Sequence, residues 1–184
     1  FAAVGAQDEL GVFDRGTVAR FDLTTGRIVA TSDRVGRQVS DAVLHDGDLW
    51  VLADGHVVRL QPDTLEIRSS EALSPDAVDC GFPFFVRSAG ELFVVDDCSL
   101  VLYLIDTASG RSRLGWVFPS DGASDSEISA VVSNHGIWLV DVEQTGVPYL
   151  FDPAQRRFER LPLTTAETRD IYAMDLDVHP RPGD

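Results

Sequence analysis

The chain has 184 residues, with 15 basic and 30 acidic side chains, so its net charge is −15 at neutral pH. This balance argues against nucleic acid and anionic membrane surfaces as ligands, because both are bound through clustered Lys and Arg. The hydrophobic fraction of 44% is typical of a globular domain. No apolar run approaches the ~20 residues of a membrane-spanning helix. The chain starts at Phe1 without Met or a signal-like leader, so we expect a processed or cropped chain.

Two sequence motifs recur along the chain at nearly the same period. In the first, an apolar anchor residue stands directly before a polar turn, and the anchors are spaced by 39, 45 and 46 residues: Phe21, Leu60, Ile105 and Phe151. In the second, an aromatic residue stands in an apolar run, at spacings of 43 and 45 residues: Trp50, Phe93 and Trp138. Two independent motifs with one period predict a repeat protein. We interpret the aromatic residues as core packing.

The turn after each anchor indicates a tight β-hairpin in every repeat. Asp22–Gly26 and Asp106–Gly110 have a side-chain acceptor at the start of the turn and Gly at its end. This pattern suits a type I turn followed by a left-handed residue, which Gly adopts without steric cost. The other two turns carry Pro62 and Pro153, whose fixed φ suits the first central position.

Short apolar runs separated by turn residues indicate strands throughout, and a unit of four strands over about 40–45 residues is typical of a β-propeller blade. We name the strands of a blade a to d. In the third repeat we expect a near 80–88, b at 91–97, c at 100–106 and d at 111–118. The predicted fold is therefore all-β, a propeller built of four four-stranded antiparallel blades.

The predicted blades form a single domain over 1–184, and the first blade lacks its strand a. A final strand at 171–178 would complete it, so the blades are approximately 1–31, 38–70, 79–118 and 127–163. The strand count fits either a closed four-bladed ring or part of a larger ring of about six to eight blades. An incomplete ring would expose apolar blade faces, which predicts a homodimer.

The segment VARFDLTTGRIVATSDRVG (18–36) resembles the YVTN-type repeat, in which a strand, an Asp-x-x-Thr-Gly turn and a second strand recur. The wider kin are quinoprotein-like, NHL-type and streptogramin-lyase-like propellers. The resemblance implies a fold only, because these families bind ligands, hydrolyse lactones, cleave cyclic peptides or present surfaces. The Trp that docks quinoprotein-like blades after the Thr-Gly turn is absent, so pyrroloquinoline quinone is not implied. The His-x-His spacing expected from the His/Glu cluster of streptogramin-lyase-like enzymes is also absent, so their activity is not implied.

Acidic residues close the predicted b strands, where the b–c connections reach one end of the sheets. This group has seven members: Asp8, Glu9, Asp54, Asp96, Asp97, Asp141 and Glu143. They would form an acidic rim that binds Ca²⁺ or docks a cationic partner. The alternative is that each Asp caps its own turn through backbone N–H groups, and the repetition favours it. No D-x-D-x-D-G spacing specifies Ca²⁺.

The long connections lie at the same predicted end, which we call the loop end: 7–16, 119–127, 143–148 and 163–170. Binding sites concentrate on such loops. We interpret the four histidines as isolated turn residues: His45, His56, His135 and His179. No nucleophile elbow or phosphate-binding loop is present. We therefore expect no catalytic or metal residues. The first hypothesis is a non-enzymatic binding or scaffold propeller for a protein or glycan. The second is a lyase or lactonase-like hydrolase that needs blades outside this chain.

The two cysteines, Cys80 and Cys98, flank the predicted a–b hairpin of the third repeat. With its turn centred between residues 89 and 90, the two residues fall opposite one another within one position of register. Opposed residues are close enough for a disulfide after a small adjustment. The alternatives are two free thiols or an incomplete metal site. A disulfide predicts an extracytoplasmic or secreted protein.

Overall fold

The structure of the chain is a computed structural model. It describes residues 16–22, 24–74, 83–97, 99–118, 128–133, 136–141 and 148–160. These residues contain fourteen strands and no helix, so the all-β prediction is confirmed for them. It follows that none of them belongs to a helix long and apolar enough to cross a membrane.

The strands form four antiparallel sheets in which chain neighbours pair with each other. Sheet 1 contains β1 (Ala19–Asp22) and β2 (Arg27–Thr31). Sheet 2 contains β3 (Val39–His45), β4 (Asp48–Ala53), β5 (His56–Leu60) and β6 (Ile67–Ala72). Sheet 3 contains β7 (Phe84–Ser88), β8 (Glu91–Asp96), β9 (Val101–Asp106) and β10 (Arg111–Val117). Sheet 4 contains β11 (Ile128–Ser133), β12 (Gly136–Asp141), β13 (Pro148–Asp152) and β14 (Arg157–Arg160).

The strands of sheet 3 fall inside the ranges predicted for the third repeat. The β7–β8 hairpin runs from Phe84 opposite Val95 to Ser88 opposite Glu91. This is the register that the sequence predicts from a turn at residues 89 and 90. The predicted strand at the N-terminus and the predicted final strand at 171–178 lie outside the described residues, as do both cysteines.

All four anchor turns (22–26, 61–65, 106–110 and 152–156) have one backbone geometry. The N–H of the fifth residue donates to the carbonyl oxygen of the first, as from Gly26 to Asp22 at 2.7 Å and from Leu65 to Gln61 at 2.8 Å. The fifth residue has a positive φ in each turn. Two turns place Gly there, as expected, whereas the other two place Leu65 and Arg156 in the left-handed region.

The chain divides into two compact units, Phe1–Val117 and Phe118–Asp184. In the first unit, sheet 2 is buried on both sides. Leu49 and Val51 of β4 share a core cluster with Val18, next to sheet 1. Trp50 and Leu52 share a second cluster with residues of sheet 3. Because side chains alternate along a strand, burial of both sides explains why β4 is apolar at nearly every position.

In the second unit, aromatic side chains pack around sheet 4. Phe118 lies edge-on to Tyr149 and to Phe158, with ring centroids 4.8 and 5.8 Å apart. Phe158 also lies 5.1 Å from the ring of the anchor Phe151. The core-packing interpretation of the aromatic motif is confirmed for Trp50 and Phe93, which are fully buried. The side chain of Trp138 lies outside the described set.

Candidate functional site

The loop end of sheets 2 and 3 carries three of the predicted acidic residues in the first unit. Asp54 directly follows β4, and Asp96 closes β8, the corresponding second strand of sheet 3. Asp54 and Gly55 make a two-residue turn in which both have a positive φ, of 48° and 70°. Such a turn suits the twist of a hairpin and holds the carboxylate of Asp54 at the edge of the sheet.

The carboxylate of Asp54 is used within the fold. Its Oδ2 accepts the N–H of Arg37 at 2.6 Å, and its Oδ1 accepts the N–H of Gln38 at 2.9 Å. The N–H of Asp54 donates in turn to the carbonyl oxygen of Gln38 at 3.2 Å. Asp54 therefore holds the segment that leads into β3. It does not cap its own turn, as the sequence-based alternative expected. Each oxygen of this carboxylate accepts one backbone hydrogen bond, which fixes the orientation of the group.

Asp96 has a similar structural role in sheet 3. Its Oδ2 accepts the hydroxyl of Ser99 at 2.5 Å, and its Oδ1 accepts the N–H of Ser99 at 3.2 Å. Here the carboxylate caps its own turn, the local alternative that the sequence raised. Asp97, the next residue, also has an interaction partner.

The other predicted rim residues are not described to the same depth. Asp141 ends β12 and lies opposite Ile128 of β11 in the register, while its side chain lies outside the described set. Asp8, Glu9 and Glu143 lie outside the described residues. Within the described ranges, no three His, Cys, Asp or Glu side chains come together as metal ligands.

The two described histidines lie at opposite ends of sheet 2. His45 is buried at the end of β3, with its Nε2 3.5 Å from Oδ2 of the exposed Asp46. His56 begins β5 at the loop end, and its Nδ1 lies 2.9 Å from the carbonyl oxygen of Asp54. These two rings therefore do not converge on one site. His135 and His179 lie outside the described residues.

A charge cluster around a buried carboxylate, which the sequence analysis missed, lies at the turn end of sheet 2, opposite the loop end. The side chain of Asp48 is 4% exposed. Its Oδ2 accepts from Nε of Arg59 at 2.6 Å, and its Oδ1 accepts from Nη1 of Arg68 at 2.5 Å. The guanidinium of Arg59 also lies 5.4 Å from the ring centre of Trp50. The three charged residues join β4, β5 and β6, so the cluster holds the sheet together.

Polar contacts also join neighbouring sheets within the first unit. Asp41 of β3 accepts the N–H of Phe85 of β7 through Oδ2 at 2.7 Å. At the other side of the sheets, the hydroxyl of Ser112 in β10 donates to the carbonyl oxygen of Leu73 at 2.6 Å. One hydrogen bond therefore joins β3 to β7, and another joins β10 to the residue that follows β6. This packing makes a firm base for the loop end.

No protein-family model and no curated protein matches this chain. Among solved structures, hydrazine synthase of Kuenenia stuttgartiensis matches with a TM-score of 0.56 and 14% identity, over 79% of this chain and 43% of its own. The dihydro-heme d1 dehydrogenase NirN matches with a TM-score of 0.59 and 17% identity, over 82% and 33%. The extracellular domain of BT4673 from B. thetaiotaomicron matches at 0.51 and 19%, over 69% and 17%.

These three proteins have propeller-type folds. The chain spans less than half the length of each. At such low identity the likeness concerns the fold alone. The comparisons and the antiparallel sheets together show that this chain has a propeller-type, all-β fold.

Proposed function

We propose that this chain is a non-enzymatic binding or scaffold module of propeller type, which contacts a protein or glycan through its loop end. The observation that carries the proposal is the difference between the two ends of the sheets. The turn end has two-residue hairpin turns, such as those at 46–47 and 89–90. The loop end has a turn of this kind at 54–55, and it also carries the longer connections between sheets, such as residues 73–83 between β6 and β7.

Long connections on a firm base are the usual place for binding surfaces. The base is firm here because β4 and β8 are buried along nearly their whole length. The carboxylates of Asp54 and Asp96 add rigidity, since each accepts two hydrogen bonds from nearby residues. In this proposal the fold uses these two acids to shape the loop end, and other loop residues contact the partner.

The charge of the chain favours a basic protein as the partner and does not act against a neutral glycan. A net charge of −15 creates a negative potential that attracts cations and repels polyanions. Asp8, Glu9, Asp97, Asp141 and Glu143 are the acidic side chains proposed for contact, and Ca²⁺ is proposed only as an accessory ion. We also propose an extracytoplasmic location, which rests on the predicted disulfide.

The proposal is tested by neutralising two acids that the sequence predicts at the loop end and two acids near the turn end. The loop-end variant is Asp8→Asn with Glu9→Gln, whose place at that end is a prediction from the sequence. The matched control is Asp46→Asn with Glu66→Gln, both exposed near the turn end. An oligosaccharide array and a basic probe protein, cytochrome c, are the ligands. We expect the loop-end variant to weaken binding several-fold and the control to change it little. Equal losses, or no binding of either probe by the unmodified chain, would contradict the proposal.

The second candidate is an enzyme, a lyase or lactonase-like hydrolase, whose site needs blades outside this chain. The observation in its favour is that two matching structures are named as a synthase and a dehydrogenase, and the chain spans less than half of each. The natural reading frame separates the two candidates. Further repeats encoded beside these four, together with lactone hydrolysis by the full-length product, would replace the binding proposal.

A further inference from the structure

The sequence Asp-Gly occurs in two hairpin turns of sheet 2, one at each end of the sheet. Asp46 and Gly47 join β3 to β4 at the turn end, and Asp54 and Gly55 join β4 to β5 at the loop end. All four residues have a positive φ, of 49° and 79° in the first turn and of 48° and 70° in the second. The two turns therefore share one local sequence and nearly one backbone conformation.

An aspartate followed by glycine is open to attack on its side chain by the next backbone nitrogen, because glycine has no Cβ to obstruct the approach. The glycine nitrogen bonds to Cγ of the aspartic acid, the bond from Cγ to the hydroxyl oxygen breaks, and this oxygen leaves as water with the proton of the nitrogen. The succinimide ring that results takes up water at either of its carbonyl carbons. One product is aspartate again, and the other is isoaspartate, in which the main chain runs through Cβ and Cγ.

The carboxylate of Asp54 is held away from this reaction by its hydrogen bonds. Its oxygens accept the backbone N–H groups of Arg37 at 2.6 Å and of Gln38 at 2.9 Å, both in the segment that leads into β3. Cγ can approach the nitrogen of Gly55 only after the carboxylate gives up these bonds, and breaking them costs free energy. The fold therefore protects the turn at the loop end.

The carboxylate of Asp46 has no comparable restraint. Its side chain is 64% exposed, and within the described part of the chain its polar contact is with Nε2 of His45, 3.5 Å from Oδ2. No backbone N–H of the described residues donates to it. Gly47 also lies in open space, since an added Cβ there would meet nothing within 4 Å. Both reacting groups of this turn are therefore accessible.

We propose that Asp46 is a site of isoaspartate formation in the folded chain, whereas the hydrogen bonds to the carboxylate of Asp54 protect the second Asp-Gly turn. The reaction is spontaneous and needs no reagent except water, which leaves in the first step and returns in the second. This inference is independent of the ligand proposed for the loop end.

The modification would disturb the turn end of sheet 2, because isoaspartate lengthens the main chain of the turn by a methylene group. His45 and Asp48 flank this turn and lie opposite each other in the register. The carbonyl oxygen of His45 accepts the indole N–H of Trp50 at 3.1 Å, and the carboxylate of Asp48 accepts from two arginines. The longer turn strains these contacts, so the modified chain is expected to unfold at a lower urea concentration.

The decisive experiment follows both turns in a single peptide. Trypsin cleaves after arginine, so one tryptic peptide, residues 38–59, contains both Asp-Gly sequences. The full chain is incubated at neutral pH and physiological temperature, either folded or unfolded in guanidinium. The peptide is then fragmented by electron transfer, which distinguishes isoaspartate from aspartate at each position. We expect the folded chain to form several-fold more product at Asp46 than at Asp54, and the unfolded chain to form comparable amounts at both.

Asp46→Glu is the control variant, because the longer side chain closes the corresponding ring far less readily. It should abolish the product at residue 46 and leave residue 54 unchanged, and a sample digested without incubation corrects for product formed during digestion. The proposal is overturned if the folded chain forms no product at Asp46, equal amounts at both positions, or more at Asp54. The comparison within the unmodified chain decides the question even if Asp46→Glu does not fold.

Discussion

The guanidinium of Arg20 donates to the carbonyl oxygen and to Oδ1 of Asp63, both at 3.0 Å, and so ties sheet 1 to the anchor turn of sheet 2. Arg59 has the equivalent position in the next repeat and donates to the carbonyl oxygen of Ala108 at 3.4 Å. Both acceptors are the third residue of an anchor turn. The first two repeats therefore each make the same kind of hydrogen bond to the sheet that follows.

The two arginines differ in what else they contact, which predicts different costs of removing them. Arg59→Leu also takes one partner from the buried Asp48, so we expect a loss of about 2–4 kcal/mol in the free energy of unfolding. Arg20→Leu removes only an exposed pair, so we expect about 1 kcal/mol or less. Leu is the natural choice, because Leu104 and Leu150 stand at this position in the later repeats. Urea unfolding measures both.

A double variant checks the reason for this difference. If the cost of Arg59→Leu comes from Asp48, then Asp48→Asn combined with Arg59→Leu should cost less than the two single changes added together. Equal losses for Arg20→Leu and Arg59→Leu would show that the buried carboxylate does not depend on Arg59.

Substituting the glycines of two anchor turns allows the cost of backbone strain to be measured apart from the cost of a steric clash. Gly26 and Gly110 have φ values of 68° and 80°. An added Cβ at Gly26 meets nothing within 4 Å, whereas at Gly110 it would lie 2.8 Å from Oγ of Ser69. We expect Gly26→Ala to cost about 1 kcal/mol from strain alone, and Gly110→Ala to cost more. Thermal unfolding gives the difference.

The Ser69→Ala background tests the clash directly. It should bring the cost of Gly110→Ala close to that of Gly26→Ala, since it removes the nearest atom. Oγ of Ser69 is buried and has no hydrogen-bond partner among the described residues, so Ser69→Ala alone should not destabilise the chain. A clear loss from Ser69→Ala would contradict this account.

Acid should weaken the fold partly through two anchor turns. The backbone N–H of Thr24 holds the pKa of Asp22 below its ordinary value of 3.8, and the Arg113 side chain does the same to the pKa of Asp106. Because the folded state prefers both residues ionised, their contribution is complete above the ordinary pKa and is lost as pH falls through the lower folded pKa. Asp22→Asn with Asp106→Asn should therefore flatten the loss of stability in acid.

Gln61 offers the matched control for this pH dependence. Its Oε1 accepts the N–H groups of Asp63 and Thr64 at 2.7 and 2.8 Å, the same role as an anchor-turn aspartate but without charge. Gln61→Asp should therefore steepen the loss of stability in acid. Urea midpoints measured from neutral pH to below the ordinary carboxyl pKa test both changes, and parallel curves for all three proteins would refute the assignment.

The Asp54 carboxylate should stabilise the fold mainly by accepting hydrogen bonds, and its charge should contribute less. Asp54→Ala removes the acceptor for the N–H groups of Arg37 and Gln38, and we expect a loss of about 1–3 kcal/mol. Asp54→Asn keeps one acceptor and tolerates the φ of 48° at this position, so its loss should be smaller. Guanidinium unfolding ranks the two variants. A larger loss for Asn than for Ala would contradict the capping role.

The disulfide between Cys80 and Cys98 remains a prediction, because both residues lie outside the described ranges. Alkylation of the folded, air-exposed protein without reductant should leave its intact mass unchanged. Reduction should then expose two thiols and lower stability by about 3 kcal/mol. Two alkylated cysteines before reduction would end both the disulfide and the location inferred from it.

Much of the architecture follows from the sequence because its signals are local. The all-β class follows from alternation and turn residues, and the register of the β7–β8 hairpin follows from its turn at residues 89 and 90. The anchor turns at Asp22 and Asp106 can also be predicted from the sequence, because the acceptor, the N–H donors and the Gly of each turn lie within five residues.

Other features depended on the packing of distant segments. Leu65 takes a left-handed conformation without being Gly because its side chain is buried in the core between sheets 1 and 2. The carboxylate of Asp54 reaches back to Arg37, and Arg59 reaches forward to Ala108. No local pattern specifies these partners, because each contact joins residues that only sheet packing brings together. The sequence determined which residues form strands and turns, and the tertiary structure decided which carboxylates serve the fold.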